Sequence, residues 1–180
     1  METMVAAPQV ASPRPHVTRC TDGHVIGHCG AVVFNVSCKA QTLDNLNHVS
    51  NLCAEMAERY PEGYVYMVVV TPGTPMAPPE VREGIKRLTH QHEDHIRAMA
   101  LVIEGDGIWA SSMRMLANTL MLMVPVKSSP RRLLGNVQEA MRWIPEAWPE
   151  VRDLYPEQLV GLPARLDTCP RCVDCPGQGR

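Results

Sequence analysis

Polar and apolar positions change period several times along the chain, and each change marks an element. His16 to Cys20 and His24 to His28 read as short strands flanking Asp22-Gly23, a dipeptide suited to a tight turn because both residues tolerate positive φ. Residues 31–36, after Gly30, form a third strand-like run. From Thr42 the period becomes helical: Leu43, Leu46, Val49, Cys53, Met56 and Tyr60 share one face, with Asn45, Asn51, Glu55 and Glu58 outside. Thr42 is placed to cap this helix and Asp44 to oppose its dipole. Pro61-Glu62-Gly63 ends it. Tyr64–Val70 then offers seven strand-forming residues without a charge, which predicts a strand buried on both faces near the middle of a sheet.

That strand stops at Thr71-Pro72-Gly73-Thr74-Pro75, and Pro78-Pro79-Glu80 opens a second helix. Val81, Ile85 and Leu88 form its inner face, and Glu83 precedes Arg87 by four residues as a surface pair. Residues 98–103 predict another buried strand, 104–107 a turn, and about 108–123 a third helix. This helix is apolar almost all round: Trp109, Met113, Leu116 and Leu120 suit packing on a sheet, whereas Met115, Met121 and Leu122 lie off that stripe and form a candidate interface. Residues 130–134 read as an edge strand. Asn136 and Glu139 resemble a capping box for a last helix over 137–144, with Val137, Ala140, Met141 and Ile144 inward.

The predicted order is β-β-β-α-β-α-β-α-β-α. Alternation of this kind implies right-handed crossovers and an α/β fold: a mixed, largely parallel sheet with helices packed against it. Residues 16–145 form the domain. Residues 1–15 are an Ala/Pro/Ser-flavoured tail, and 146–180 a proline-broken strap, with Trp148, Tyr155, Leu159 and Val160 as docking residues, ending in a cysteine-containing tail.

Composition narrows the function more by exclusion than by indication. A net charge of -2, an aromatic content of 4% and the small basic spot of Lys127, Arg131 and Arg132 argue against nucleic-acid binding. The longest apolar stretch, 115–126, is interrupted by Asn118 and Thr119 and is too short for stable membrane insertion. Seven scattered cysteines and no secretory pattern suggest reduced thiols in a cytoplasmic protein. There is no Gly-x-Ser-x-Gly elbow and no complete phosphate loop around Gly105-Asp106-Gly107, and Glu104 and Asp106 have no evident nucleophilic partner.

Two clusters suit metals. His90, His92 and His95, with Asp94, lie at the end of the second helix, but the histidines do not share one face. Cys169, Cys172 and Cys175 have the spacing of zinc or iron–sulfur ligands and lack an adjacent fourth cysteine.

The elements of residues 16–144 resemble the SpoIIAA-like superfamily, which includes bacterial STAS domains. The resemblance lies in Asp22-Gly23 between opening strands, Gly30 before the third, Tyr64–Val70 followed by turn and helix, the 98–105 strand and turn, and Leu133-Leu134-Gly135-Asn136-Val137 leading into Glu139-Ala140. It implies regulation by partner binding, with phosphorylation of a Ser or Thr at the start of the helix after the central strand. The superfamily's Asp-Ser-Ser/Thr-Gly is absent there, and Thr71 and Thr74 are the only hydroxyls available.

The sequence reading is therefore a non-enzymatic regulatory or scaffold domain. Its partner is another protein or a second copy, its binding loop includes Thr71, Thr74, Pro78 and Pro79, and it needs no cofactor. The alternative is a metal- or redox-responsive protein with zinc or an iron–sulfur group at the C-terminal cysteines. A third reading, which resemblance to the superfamily's SEC14-type members implies, holds a small apolar or anionic ligand at the ends of the central strands.

Overall fold

The structure is a computed structural model, described here for residues 15–21, 23–123 and 129–151. Six strands and four helices follow one another as β1 (His16–Thr21), β2 (His24–Cys29), β3 (Val32–Ser37), α1 (Leu43–Arg59), β4 (Tyr64–Val70), α2 (Pro79–Gln91), β5 (Ile96–Ile103), α3 (Gly107–Met123), β6 (Arg131–Leu134) and α4 (Val137–Ala147). The strands lie in one sheet in the order β1-β2-β3-β4-β5-β6. β1, β2 and β3 pair antiparallel, and β3 through β6 pair parallel, so the sheet is mixed and mostly parallel after its opening strands. No helix among the described residues is long and apolar enough to cross a membrane.

Each strand pair explains part of the sequence. Gly27 faces the Phe34 ring: a Cβ there would lie 2.8 Å from Phe34 Cζ and would also strike His16 O, so only glycine lets β1, β2 and the ring close together. On β4, Tyr64 to Met67 and Val69 are buried, but Val68 and Val70 keep exposed surface, as does Leu101 beside Val68 on β5. The expectation that β4 is covered on both faces is thus corrected at these alternate positions.

Right-handed crossovers place α1, α2 and α3 on a single face. Alternation along the strands assigns Asn35, Tyr66, Val68, Met99, Leu101 and Arg131 to that face. The opposite face carries Phe34, Val65, Met67, Ala98, Ala100 and Val102, all fully buried, and α4 packs there against β5 and β6 with Val137, Ala140, Trp143 and Ile144.

Local signals formed most helix ends. Thr42 Oγ1 accepts the Asn45 amide at 3.2 Å, and Asp44 pairs with Arg19 of β1. Asn136 Oδ1 accepts the Glu139 amide at 2.8 Å, but Glu139 returns its carboxylate to the Gly135 amide, also at 2.8 Å, one residue earlier than a simple capping box. Helix α4 continues past Pro145 to Ala147, and Glu83 pairs with Lys86 at 2.6 Å rather than with Arg87. On α1, Leu43 is exposed while Asn45 and Leu52 are buried, so the buried stripe differs from the one the apolar positions predict. Cys38 is disulfide-bonded, against the expectation of reduced thiols throughout; scattered sequence spacing carries no information on which sulfurs meet in space. Residues 1–14 and 152–180 lie outside the described residues, and with them Tyr155, Leu159 and Val160 of the expected strap.

Two buried histidines bind structure to pH. His28 is held below the ordinary 6.5 mainly by burial; the Gly30 backbone opposes this, His16 and Arg59 deepen it, and Glu55 opposes it more weakly. His92 is lowered by burial and then by His95. A depressed folded-state value means the unfolded chain takes up protons first as pH falls, so the stabilisation is complete above 6.5 and is lost on descent through the folded values. The urea midpoint is expected to fall between about pH 7 and about pH 5, with a smaller slope in a His28→Gln, His92→Gln variant. An identical pH slope in the two proteins would exclude these histidines as the cause.

Candidate functional site

Helix α2 is held to α1 along its length. A Cβ at Gly84 would sit 2.9 Å from Leu46 and 3.2 Å from Leu43, so the glycine permits the close approach. At the other end, His92 Nε2 and Ser50 Oγ are 3.0 Å apart. Helix α3 packs instead on β5 and β6. Between α2 and α3 the described residues leave the sheet uncovered, and Val68 and Leu101 remain partly exposed in the two central strands.

The result is a groove that encloses a cavity of about 170 Å³. Val68, Val70, Met99 and Leu101 form the floor, Ile85 belongs to one wall, and Met113, Leu116 and Ala117 to the other. Lys39 and Pro75, the exposed members of the lining, place the mouth at the carboxyl end of the parallel strands, with Gln41 and Arg82 beside them. Arg131 stands at the opposite end. Burial holds its guanidinium below the ordinary arginine value, and Glu93 acts against that shift.

Polar atoms are few. Tyr66 has its phenol raised well above the ordinary value, first by burial and then by nearby Cys53, while a hydrogen bond from Asn35 acts in the opposite direction. Tyr64 is raised likewise by burial and by Cys53, whose own thiol is pushed up to about 11 by burial. These groups stay neutral at physiological pH, so the floor of the groove carries no charge there.

The Thr71–Pro79 segment, expected to be functional, does line the groove, but through Thr74, Pro75 and Ala77. Thr74 is buried, and its hydroxyl lies 2.8 Å from Thr71 O and 3.0 Å from Ser37 O. Thr71 Oγ1 also donates to Ser37 O, at 3.2 Å. Both hydroxyls therefore fasten the loop to the end of β3. Pro78 is the N-cap of α2 and Pro79 its first residue, neither of them on the groove wall.

The expected interface is divided. Met115 is exposed, Met121 belongs to the groove lining, and the side chain of Leu122 lies outside the described residues. An all-round apolar helix does not reveal from sequence which side meets the sheet, and Met121 lies on the groove side of α3.

The histidine cluster is dispersed. Helix α2 ends at Gln91, His90 contacts Glu93 at 3.4 Å, and His92 turns inward to Ser50. Among the described residues no group of three or more His, Cys, Asp or Glu side chains is placed to hold a metal. Cys169, Cys172 and Cys175 lie outside the described residues. At Gly105-Asp106-Gly107 both glycines have positive φ, and Arg114 Nη2 donates to Ile103 O at 2.9 Å and to Gly105 O at 2.8 Å, fixing the turn from below.

Sequence reasoning passed over Asn35. A single asparagine in Val-Val-Phe-Asn-Val-Ser was the available signal, since an amide is uncommon in a buried strand. No protein-family model, curated protein or solved structure matches the chain.

Replacing Thr74 by Val keeps the shape of the side chain and removes its hydroxyl. Urea unfolding is expected to show a loss of about 1–2 kcal/mol, with the amide signals of residues 71–77 and of Ser37 shifted. An unchanged midpoint would show that the hydroxyl does not hold the loop.

Proposed function

We propose that the protein is a non-enzymatic binding module that takes a small apolar molecule into the groove between α2 and α3. The observation that carries this reading is the exposed surface of Val68 and Leu101 in the middle of the sheet, where a domain with this order of elements would ordinarily be covered. A lined cavity of about 170 Å³ is close in size to an engineered apolar cavity of ~150 Å³ that stays dry and binds benzene. Its mouth lies at the carboxyl end of the parallel strands, the usual place for ligands in open α/β sheets.

A binding role fits the chemistry of the lining better than catalysis does. Among the described residues the titratable groups on it are Lys39, Tyr66, Arg82 and Arg131, and no carboxylate, histidine or thiol lines it to act as base or nucleophile. The SpoIIAA-like resemblance enters the proposal through the order of elements alone. On this reading the Thr71–Pro79 loop is a wall of the pocket, and ligand occupancy rather than phosphorylation of Thr74 sets its state.

Toluene or p-xylene is expected to shift the amide resonances of Val68, Ile85, Leu101 and Leu116 in an NMR titration, with affinity on the order of 100 µM for a ligand of this size. Leu101→Phe fills the groove from its floor; it should abolish these shifts while leaving thermal stability equal or raised by up to ~2 kcal/mol. Shifts spread over the whole surface, or unaltered in Leu101→Phe, would refute a groove site.

A second reading, docking of a protein partner or a second copy, is favoured by one feature of α3. Ile108 is 88% exposed and Met115 70% exposed, seven residues apart and hence on one outer face. Native mass spectrometry should then show an assembly that Ile108→Glu, Met115→Glu disperses; a monomer for both proteins would leave that face as plain surface.

A further inference from the structure

We infer that the crevice between the carboxyl ends of β5 and β6 is a second ligand site, separate from the groove. It takes a small zwitterion, such as a free α-amino acid, with the carboxylate on Arg114 and the ammonium on Glu139.

Topology opens this crevice. The chain leaves β5 for α3 on the groove face of the sheet, and leaves β6 for α4 on the opposite face. Among the described residues, β5 and β6 are the adjacent parallel strands whose following helices go to opposite sides. Loops departing in opposite directions part the strand ends, and ligands of open α/β sheets sit in such crevices. A cleft of about 540 Å³ lies there, open to solvent and lined mainly by polar atoms, with Leu133 and Leu134 as its apolar part.

The charged groups of the cleft are held in place by the fold. Arg114 Nη2 is occupied by Ile103 O at 2.9 Å and Gly105 O at 2.8 Å. Its Nε and Nη1 have no acceptor among the described residues, and neither is sealed from solvent. Glu139 is fixed by the Gly135 amide at 2.8 Å and Asn136 Nδ2 at 3.0 Å. Groups already immobilised lose little entropy when a ligand arrives.

Gly135 leaves the space between them empty. A Cβ there would stand 3.7 Å from Arg114 Nη2 and 3.4 Å from Glu139 Oε2, so guanidinium and carboxylate flank one point. No ion pair among the described residues closes that gap. Charge-assisted hydrogen bonds of about 2.8 Å, one to each group, leave room between them for the short backbone of an α-amino acid. The balance of charge selects the same class. Glu139, with exposed Asp106 beside it, disfavours a bare anion, and Arg114 disfavours a bare cation.

The test titrates the full chain by NMR with L-alanine, propionate, ethylamine and inorganic phosphate. L-Alanine is expected to shift the amides of residues 105–107 and 135–139, with Kd on the order of 1 mM for so small a molecule. Propionate and ethylamine each lack one charge and should bind about tenfold more weakly, the effect of one charge-assisted hydrogen bond. Glu139→Gln removes the partner of the ammonium: alanine should weaken about tenfold while propionate is not weakened, a split that loss of the helix cap alone would not produce. Gly135 has no positive φ, so Gly135→Leu puts a side chain into the gap without backbone strain and should abolish the alanine shifts. If that variant fails to fold, the wild-type series and Glu139→Gln decide.

Propionate or phosphate binding as tightly as alanine would overturn the inference. So would equal weakening of alanine and propionate in Glu139→Gln, or no binding of alanine. The groove is followed through other amides, so its reading stands or falls separately.

Discussion

The attachment of α2 to α1 is the constraint on which the rest of this architecture depends. Gly84 lets the two helices meet across the Leu43 and Leu46 side chains, and the His92–Ser50 contact fixes the far end. The Thr71 and Thr74 hydroxyls anchor the loop that delivers α2 to the end of β3, on the α1 side of the sheet. With α2 drawn to one side and α3 seated on β5 and β6, the three crossover helices do not close over the central strands. The opposite face shows no such gap: Val65, Met67, Ala98 and Ala100 are wholly buried. One sheet thus has a sealed side that supplies most of the core and an open side that supplies a groove. Burial of apolar area at roughly 25 cal/mol per Å² stabilises the fold through the first, and the forgone burial of Val68 and Leu101 on the second is a cost that an occupant would remove.

The open side is also where polarity departs from the pattern of the strands. A central strand of an α/β sheet ordinarily carries Val, Ile and Leu on both faces. Here β3 places Asn35 and Ser37 among Val33, Phe34 and Val36, and β4 answers with Tyr66. Burial keeps the phenol protonated, and the Asn35 amide both supports it and is oriented by it. The charges are kept to the ends, Lys39 and Arg82 at the mouth and Arg131 at the inner limit. On the proposed reading this arrangement would leave the middle of the groove uncharged for an apolar guest.

What the sequence revealed depended on how local the determining physics was. The caps at Thr42 and Asn136 involve partners three residues away, and both side chains cap their helices, although the Glu139 carboxylate returns to Gly135. The runs that became β4 and β5 are recognisable because seven apolar residues without a charge in one, and six over 98–103 in the other, have few other uses. Thr74 could not be read in this way: its acceptor on Ser37 lies 37 residues earlier, and nothing nearby distinguishes it from an ordinary turn threonine. Met121 and Met115 are chemically identical and six residues apart, and only the rotation of α3 over β5 separates a groove wall from a solvent face. The groove itself is a property of spacing between helices, which no single segment encodes. Asn35, a lone amide in a buried strand, was a local sign of it, and one amide among valines does not by itself announce a groove.

The order of strands in the sheet is the order of their synthesis. Many parallel sheets begin in the middle and grow towards both edges, so that early strands wait for late ones. In this chain the hairpin of β1 and β2 offers an edge to β3, β3 offers one to β4, and every later strand meets a finished neighbour as it emerges. Each addition closes a loop no longer than one crossover, which keeps contact order low for a mostly parallel sheet. Assembly on the ribosome can then advance as a zipper from the N-terminal end, with growth at one edge while β1 remains the other.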